Sequence, residues 1–238
     1  KTTSTSPTDL KGTDLVWSGN SVTHVAAAGD IGAYWDMSAG YFETDTRRVV
    51  GASYTLFYYW KPGSGTLKTL HRGGTYDNYW GYATSNNLGF VSYNRGNDGF
   101  KDTSFDITTG SWQTLIVTGV ATNIETGSGT ATYYVNGVQV GNTIARVASG
   151  DDTYTVGTVS DFPGLIAVAG VLNTALDTAQ ITSLHNHMTA KKTSTGCSAC
   201  PSGKTSDAGV GESCDTCVAG YSGSWETHPA LLHLIDAS

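Results

Sequence analysis

The sequence predicts an all-β protein built as an antiparallel two-sheet sandwich, and three observations support this prediction. The composition is rich in Gly, Thr, Ser and Tyr and poor in Lys, Glu and Met, which favours short strands and turns over helices. Short apolar segments recur between turn residues at the spacing expected of a sandwich. The clearest strand signals stand in Ser111 to Asn142, around an Asn136-Gly137 pair that is typical of a type I′ hairpin turn.

Strands are predicted along most of the first 190 residues. The first fall between Leu10 and Val25 and between Asp30 and Phe42, where aromatic residues stand between glycines. Further short strands, each bounded by turn residues, are predicted at Thr66 to His71, Tyr79 to Thr84, Leu88 to Tyr93, Ser104 to Ile107, Tyr154 to Val159 and Gly164 to Val171. This gives about a dozen strands, enough for two packed sheets.

The segment Tyr54 to Lys61 predicts a strand that is apolar on both faces. Tyr54, Leu56, Tyr58 and Trp60 alternate with Thr55, Phe57 and Tyr59. Two interpretations follow: the strand is central in a sheet covered on both sides, or it presents an aromatic face to a groove.

The segment Ser111 to Asn142 predicts a meander of three strands. Trp112 to Thr118 alternates bulky and polar residues, and Thr130 to Val135 leads through the Asn136-Gly137 turn into Val138 to Val140.

Later in the chain, one short helix is predicted at Thr178 to Met188. Asp177 can cap it, and Gln180 stands where the partner of a capping box belongs.

Charge and composition limit the classes of partner that are expected to bind this chain. The formal net charge is −7 with only 13 Lys and Arg residues, which argues against nucleic acid because phosphate binding needs clustered basic side chains. An acidic surface suits cations or neutral glycans. No apolar run approaches the roughly 20 residues that span a bilayer, and Lys1 opens a polar tract rather than a signal peptide. We therefore expect a soluble chain that is already processed or is a piece of a longer one.

Composition also divides the chain into three parts. Residues 1–9 (KTTSTSPTD) read as a Thr/Ser-rich linker that is a candidate for O-linked sugars, and a plain flexible tail is the alternative. Residues 10–190 hold the predicted sandwich. The polar stretch between Ala190 and Gly196 precedes all four cysteines, so residues 191–238 are expected to form a separate module.

Five motifs follow one another along the sandwich region. They are Asp30 to Asp36 (DIGAYWD), Tyr54 to Pro62, Ser111-Trp112 with Tyr133 to Gly137 (YYVNG), Phe162-Pro163-Gly164 to Val171, and Leu172 to Asp177 (LNTALD). As an ordered set, they resemble the laminin-G-like or concanavalin A-like jelly roll. The resemblance implies two curved antiparallel sheets of six or seven strands each, in agreement with the periodicity of the sequence.

The four cysteines stand in two C-x-x-C pairs, Cys197 with Cys200 and Cys214 with Cys217. Their spacing resembles the small extracellular cysteine-rich repeats of ephrin-receptor-like and tumour-necrosis-factor-receptor-like modules. In those repeats the cysteines form disulfides, and the resemblance implies a disulfide-stabilised module in an oxidising compartment. We expect Cys197 to pair with Cys214 and Cys200 with Cys217. A zinc ribbon is the alternative, because 13 residues between the two pairs come close to its spacing.

Catalytic patterns are missing from the sequence. The glucanases that share the jelly roll use paired carboxylates on one strand, and this chain has no such E-x-D-x-x-E stretch. Its four glutamates are expected in loops or at the termini, and Asp102, which could pair with Asp98, is expected in a turn. His185 and His187 are two residues apart on the predicted helix and point to different faces, so they cannot hold a metal together. An atypical glycoside hydrolase is therefore only the third interpretation of function.

Binding sites are expected at two places. Laminin-G-like domains often hold calcium, and the acidic residues expected in loops are Asp30, Asp151, Asp152 and Asp161; no cofactor is otherwise required. The residues expected to line a concave sheet and stack on sugar rings are Phe57, Tyr59, Tyr79, Trp80 and Tyr82. The alternative for these aromatic residues is a place in the core.

The leading interpretation is an extracellular, non-enzymatic structural or adhesion subunit of a matrix, filament or cell-surface appendage. Its expected partners are other copies of itself or other extracellular proteins, and a secreted lectin is the second interpretation. The tail from Trp225 to Ile235 carries Leu231, Leu232, Leu234 and Ile235 and is too short for a core of its own. We expect this tail to be buried against the sandwich or against a neighbouring subunit.

Overall fold

The computed structural model of the chain describes residues 17–20, 22–25, 33–49, 52–65, 67–73, 78–92, 99–123, 128–145, 151–157, 163–190 and 231–236. Within these ranges the backbone forms two antiparallel β-sheets and one α-helix. The prediction of an all-β jelly-roll sandwich with one short helix is confirmed.

The strands lie in two sheets. In chain order they are β1 (Trp17–Asn20), β2 (Thr23–Val25), β3 (Tyr34–Met37), β4 (Tyr41–Val49), β5 (Ser53–Pro62), β6 (Leu67–Gly73), β7 (Asn78–Thr84), β8 (Asn87–Ser92), β9 (Gly99–Asp106), β10 (Gln113–Asn123), β11 (Ser128–Val135), β12 (Val138–Ile144), β13 (Asp151–Val156), β14 (Gly164–Leu172) and β15 (Leu231–Asp236). The seven-stranded sheet has the order β1-β4-β13-β6-β7-β8-β9. The eight-stranded sheet has the order β12-β11-β10-β5-β14-β3-β2, and β15 also pairs with β14.

The predicted meander forms β10, β11 and β12. Asn136 and Gly137 have φ angles of 52° and 77°, the positive values that a type I′ turn requires at both central positions. The Asn136 side chain also accepts a hydrogen bond of 3.1 Å from the Thr114 backbone N–H. This bond ties the turn to the first strand of the meander.

The strand β5 lies in the middle of the eight-stranded sheet, between β10 and β14. Tyr54, Leu56, Tyr58 and Trp60 belong to the core between the two sheets. Phe57 and Tyr59 belong to a second core on the other face. The interpretation of a central strand covered on both sides is therefore confirmed. Both faces of β5 are apolar because both are buried.

Helix α1 (Thr178–Ala190) covers that second core. Its start is a capping box: the Gln180 N–H donates to Asp177 Oδ1 and the Asp177 N–H donates to Gln180 Oε1, both at 2.9 Å. Ile181, Leu184 and Met188 recur at helical spacing and pack in the second core. The predicted helix and its cap are confirmed.

Two strands differ from the sequence-based prediction. The predicted strand around Tyr41 continues as β4 to Val49 through the polar segment 43–49, which shows no apolar alternation. Pairing with β1 and β13 imposes the strand there. The expectation that Asp151 and Asp152 stand in a loop is wrong: they begin β13, opposite Val49 and Arg48.

Candidate functional site

Two of the aromatic residues expected to bind sugar are enclosed. Phe57 is 1% exposed and Tyr59 is 2% exposed. They lie in the core that α1 covers. A pyranose ring cannot stack on a ring face that is already packed, so the expectation is wrong for these two residues.

The remaining predicted sugar-binding residues belong to the other sheet. Tyr79, Trp80 and Tyr82 are in β7 of the seven-stranded sheet, whereas Phe57 and Tyr59 are in β5 of the eight-stranded sheet. The expected single face shared by both groups does not exist. The side chains of the β7 residues lie outside the described part of the chain, so their role in sugar binding stays a prediction.

A different aromatic cluster lies beside α1, and we call Tyr34, Tyr59 and Trp112 the aromatic patch. The ring centroids of Tyr59 and Trp112 are 5.1 Å apart at an interplanar angle of 37°. Tyr34 meets Trp112 edge-on at 5.8 Å. Tyr34 and Trp112 are partly buried, so each retains some surface beside the helix. Tyr34 and Trp112 are far apart in the sequence, and they meet because β3 and β10, the strand that follows Trp112, belong to the same sheet.

Two polar residues lie two positions along the strands from members of the aromatic patch, Asp36 after Tyr34 and Lys61 after Tyr59, so strand alternation puts them on the same face of the sheet. Strand register places Asp36, Leu165 and Lys61 in one row across β3, β14 and β5. Asp36 Oδ1 accepts a hydrogen bond of 3.0 Å from the Ser38 backbone N–H. An acceptor and a cation thus lie in the same sheet as the patch, two strands apart.

The Tyr59 hydroxyl is buried and has no hydrogen-bond partner within the described residues. Burial raises the pKa of Tyr59 to about 12. The group therefore stays neutral at physiological pH, and no bond from the described residues compensates the desolvation of its hydroxyl.

A polar cluster also lies between the sheets. The Tyr58 hydroxyl and His71 Nδ1 share a hydrogen bond of 2.6 Å. Burial first, and then the neighbouring tyrosines, raise the pKa of Tyr58 well above its usual value. Both residues are at most 2% exposed, so the cluster joins β5 to β6 inside the sandwich and is closed to a ligand.

Lys68 is a buried cation near the start of β6, the middle strand of the seven-stranded sheet. Its ammonium donates to the Gly65 carbonyl at 2.6 Å and to Asn86 Oδ1 at 3.3 Å. Burial lowers the pKa of Lys68 below its usual value. Because both acceptors belong to turns, Lys68 holds two connections together.

The hairpin turn also contacts α1. His185 Nδ1 and Thr114 Oγ1 share a hydrogen bond of 2.8 Å. A Cβ atom at Gly137 would lie 3.0 Å from His185 Cδ2. The absence of a side chain at Gly137 therefore allows the helix to approach the turn.

The metal and disulfide predictions fall mostly outside the described residues. This holds for Asp30, Asp161 and all four cysteines, Cys197, Cys200, Cys214 and Cys217. Within the described ranges no group of three or more His, Cys, Asp or Glu residues is placed to hold a metal ion. Calcium binding and the disulfide pairing stay predictions.

Two acidic residues that were expected outside the strands, Glu43 and Asp102, lie in strands. Glu43 lies in β4, opposite Ser18 and Thr155, rather than in a loop. Asp102 lies in β9 rather than in a turn, and its carboxylate accepts hydrogen bonds from the Ser104 N–H at 2.7 Å and from Asn87 Nδ2 at 3.1 Å. Pairing with neighbouring strands explains both differences.

The apolar tail joins the sandwich by its backbone. Leu231–Asp236 forms β15 and pairs with Val168 to Leu172 of β14. On the same side of β14, β3 pairs with Gly164 to Ile166. Two strands from distant parts of the chain thus share one edge. Trp225 lies outside the described residues. Within the part of the chain that the structure covers, no helix is long and apolar enough to cross a membrane.

No protein-family model and no curated protein matches the chain. Among solved structures, the binding domain of botulinum neurotoxin DC in complex with rat synaptotagmin II is 16% identical, with a TM-score of 0.52 over 77% of this chain and 51% of that one. Domain 4 of a GH43 extracellular arabinanase from Geobacillus stearothermophilus, in complex with arabinotriose, is 19% identical, with a TM-score of 0.49 over 71% and 88%. A heptameric SAP-like pentraxin from Limulus polyphemus is 15% identical, with a TM-score of 0.48 over 75% and 83%. The likeness concerns the fold alone, and the chain has a concanavalin-like jelly-roll fold.

Proposed function

We propose that this chain is an extracellular, non-enzymatic structural or adhesion subunit that makes protein-protein contacts in a filament, matrix or surface appendage. The observation that carries the proposal is the pairing of the C-terminal β15 with the edge of β14. A strand contributed from the far end of a chain is a means of joining subunits as well as of completing a sheet.

Burial and composition support this role. Val168, Ala169, Val171 and Leu172 of β14 are 0–5% exposed. An apolar strand edge of this kind pairs readily with another chain when it is uncovered. The extracellular setting follows from the predicted disulfide module, because disulfides persist in oxidising compartments.

Particle size tests the proposal. We expect the full chain to form particles larger than a monomer in light scattering and filaments or regular assemblies in electron microscopy. Deletion of residues 225–238 should reduce them to monomers or small oligomers. Deletion of residues 1–9, the predicted linker, is the control and should leave the particles intact. A full chain that stays monomeric at high concentration would refute the structural role.

A second candidate function is glycan binding at the aromatic patch. Partly buried Tyr34 and Trp112 offer ring surface, and Asp36 and Lys61 in the same sheet are suited to hydroxyl groups. In this second candidate function the glycan binds at the outer face of the eight-stranded sheet, and sugar binding by Tyr79, Trp80 and Tyr82 of the other sheet stays a separate prediction.

A glycan array with the full chain tests the second candidate. We expect Trp112→Ala to abolish binding, Trp112→Phe to weaken it, and Val138→Ala to leave it unchanged, because Val138 is 66% exposed on β12. Melting curves of each variant separate loss of binding from loss of folding. An array without signal for the folded wild-type chain excludes glycan binding at this patch for the glycans displayed.

A further inference from the structure

The structure shows β15 paired with β14 within one chain. We propose that β15 is an exchanged strand: in the assembled protein, Leu231–Asp236 of one copy makes this same pairing with β14 of a second copy. The inference rests on the proposed structural role and names its partner and its contact surface. The receiving surface is the edge of β14 from Val168 to Leu172, which we call the acceptor edge.

The acceptor edge needs an occupant. On the opposite side of β14, β5 pairs along the whole strand, from Gly164 to Leu172. On the acceptor side β3 reaches only to Ile166. Beyond Ala167, the five residues Val168-Ala169-Gly170-Val171-Leu172 include no charged residue and no proline. Those are the devices by which exposed edges usually avoid pairing with other chains.

The sequence of β15 matches this edge. The strand is Leu-Leu-His-Leu-Ile-Asp, and its register sets Asp236 opposite Val168, Ile235 opposite Ala169, and Leu234 opposite Gly170. Within the described strands, β14 is its partner. Main-chain pairing with an apolar edge is the mode by which an added strand is recognised in strand-addition complexes.

The connection to β15 does not determine which copy receives it. Residues 191–230, 40 in number, separate α1 from β15. The 19 residues of this segment outside the predicted disulfide-linked region, 191–196 and 218–230, span up to about 60 Å when extended, and a domain of roughly 180 residues has a radius of gyration of about 16 Å. The hairpin of β11 and β12 is different, because its two-residue turn forces pairing within one chain. Reciprocal exchange of β15 gives a closed pair of copies, and successive exchange gives a filament.

Cysteine cross-linking between two co-expressed, differently tagged full chains tests the inference. One chain carries Val168→Cys and the other Asp236→Cys, and a second pair of chains carries Ala169→Cys and Ile235→Cys. Neighbouring pairs in an antiparallel ladder alternate between wide and close spacing, so one of the two combinations has the geometry of a disulfide. Peptide mass analysis identifies the new bond separately from bonds of the four native cysteines.

We expect a covalent dimer that contains both tags in at least one combination. The matched control pairs Asp236→Cys with Val138→Cys, which is exposed on β12 at the opposite edge of the same sheet; it should give only background dimer. Melting curves verify that the variants fold.

A chain carrying both Val168→Cys and Asp236→Cys tests the alternative, in which β15 pairs with β14 of its own copy. If it closes the disulfide within a monomer while the co-expressed single variants give no dimer above the control, the inference is overturned. Failure of all combinations, within and between chains, also overturns it. If large particles of the wild-type chain persist in either case, the structural role stands through another surface. Absence of such particles counts against the structural role itself.

Discussion

Tyr58 and Tyr59 are neighbours on β5, but their side chains lie in different cores and their hydroxyl groups have different surroundings. Tyr58 points between the sheets, where its hydroxyl meets His71 at 2.6 Å. Tyr59 belongs to the aromatic patch on the other face of the sheet, where its hydroxyl is buried and has no hydrogen-bond partner among the described residues. A buried polar group is stabilising only when its hydrogen bond is made.

Phenylalanine substitutions should therefore have opposite effects. We expect Tyr58→Phe to lower the free energy of unfolding by about 1–3 kcal/mol, because it removes a partner of buried His71. Tyr59→Phe is the matched control and should leave the stability unchanged or raise it. Denaturant unfolding monitored by fluorescence measures both. Equal decreases in the free energy of unfolding would show that the hydrogen bond between Tyr58 and His71 does not contribute to stability.

His185 makes the contact between α1 and the meander sensitive to pH. Burial lowers the pKa of His185 below 6.5. The unfolded chain then binds the proton at a higher pH than the folded chain does. The contribution of His185 to stability is therefore full above about pH 6.5 and is lost as the pH falls through the two pKa values.

We expect the free energy of unfolding of the wild-type chain to fall more steeply below about pH 6.5 than that of His185→Gln. Glutamine keeps a group that can bond to Thr114 but does not titrate. Urea unfolding between about pH 7.5 and about pH 5 gives both curves. Parallel curves would show that His185 does not contribute to the pH dependence.

At the scale of elements, α1 is specified locally and placed by contacts from afar. Its capping box is a pair of bonds within four residues. Its position depends on Thr55 of β5, whose hydroxyl donates to the Thr174 carbonyl at 2.7 Å and accepts from the Leu176 N–H at 3.1 Å. The segment that leads into the helix is thereby attached to the middle of the eight-stranded sheet.

Loss of the cap should have a small and specific effect. We expect Asp177→Ala to lower the free energy of unfolding by about 1 kcal/mol, because one bond of the capping box is lost and a backbone N–H at the helix start is left without its acceptor. Thr182→Ala, at an exposed position in the same helix, is the control and should change stability by less than about 0.5 kcal/mol. Thermal unfolding with calorimetry compares them. A similar effect of both substitutions would assign the loss to the helix surface and not to its cap.

At the scale of the whole molecule, the sandwich and the cysteine-rich segment differ in what stabilises them. The sandwich has two apolar cores, one between its sheets and one under α1. The segment 191–230 has four cysteines and few large apolar residues. Small extracellular modules of such composition usually depend on disulfides.

We expect the intact, non-reduced protein to have a mass lower by four hydrogens than the reduced one, because two disulfides form among the four cysteines. Peptide mapping should show Cys197 with Cys214 and Cys200 with Cys217. Four free thiols with one bound zinc ion per chain would establish the zinc ribbon instead.

The sequence alone determined the features that depend on neighbouring residues. Alternation predicted the central strand at Tyr54 to Lys61, the Asn136-Gly137 turn predicted the hairpin, and Asp177 with Gln180 predicted the helix start. The physical reason is that turns, caps and strand periodicity act over a few residues.

Tertiary structure decided the features that depend on distant partners. Pairing with β1 and β13 made a strand of the polar residues in β4, and pairing with β14 placed the apolar tail. The packing of α1 enclosed Phe57 and Tyr59, and the order of strands in the eight-stranded sheet brought Tyr34 to Trp112. Which face of a strand is covered depends on what packs against it, and a period-two pattern identifies two faces without naming the partner of either.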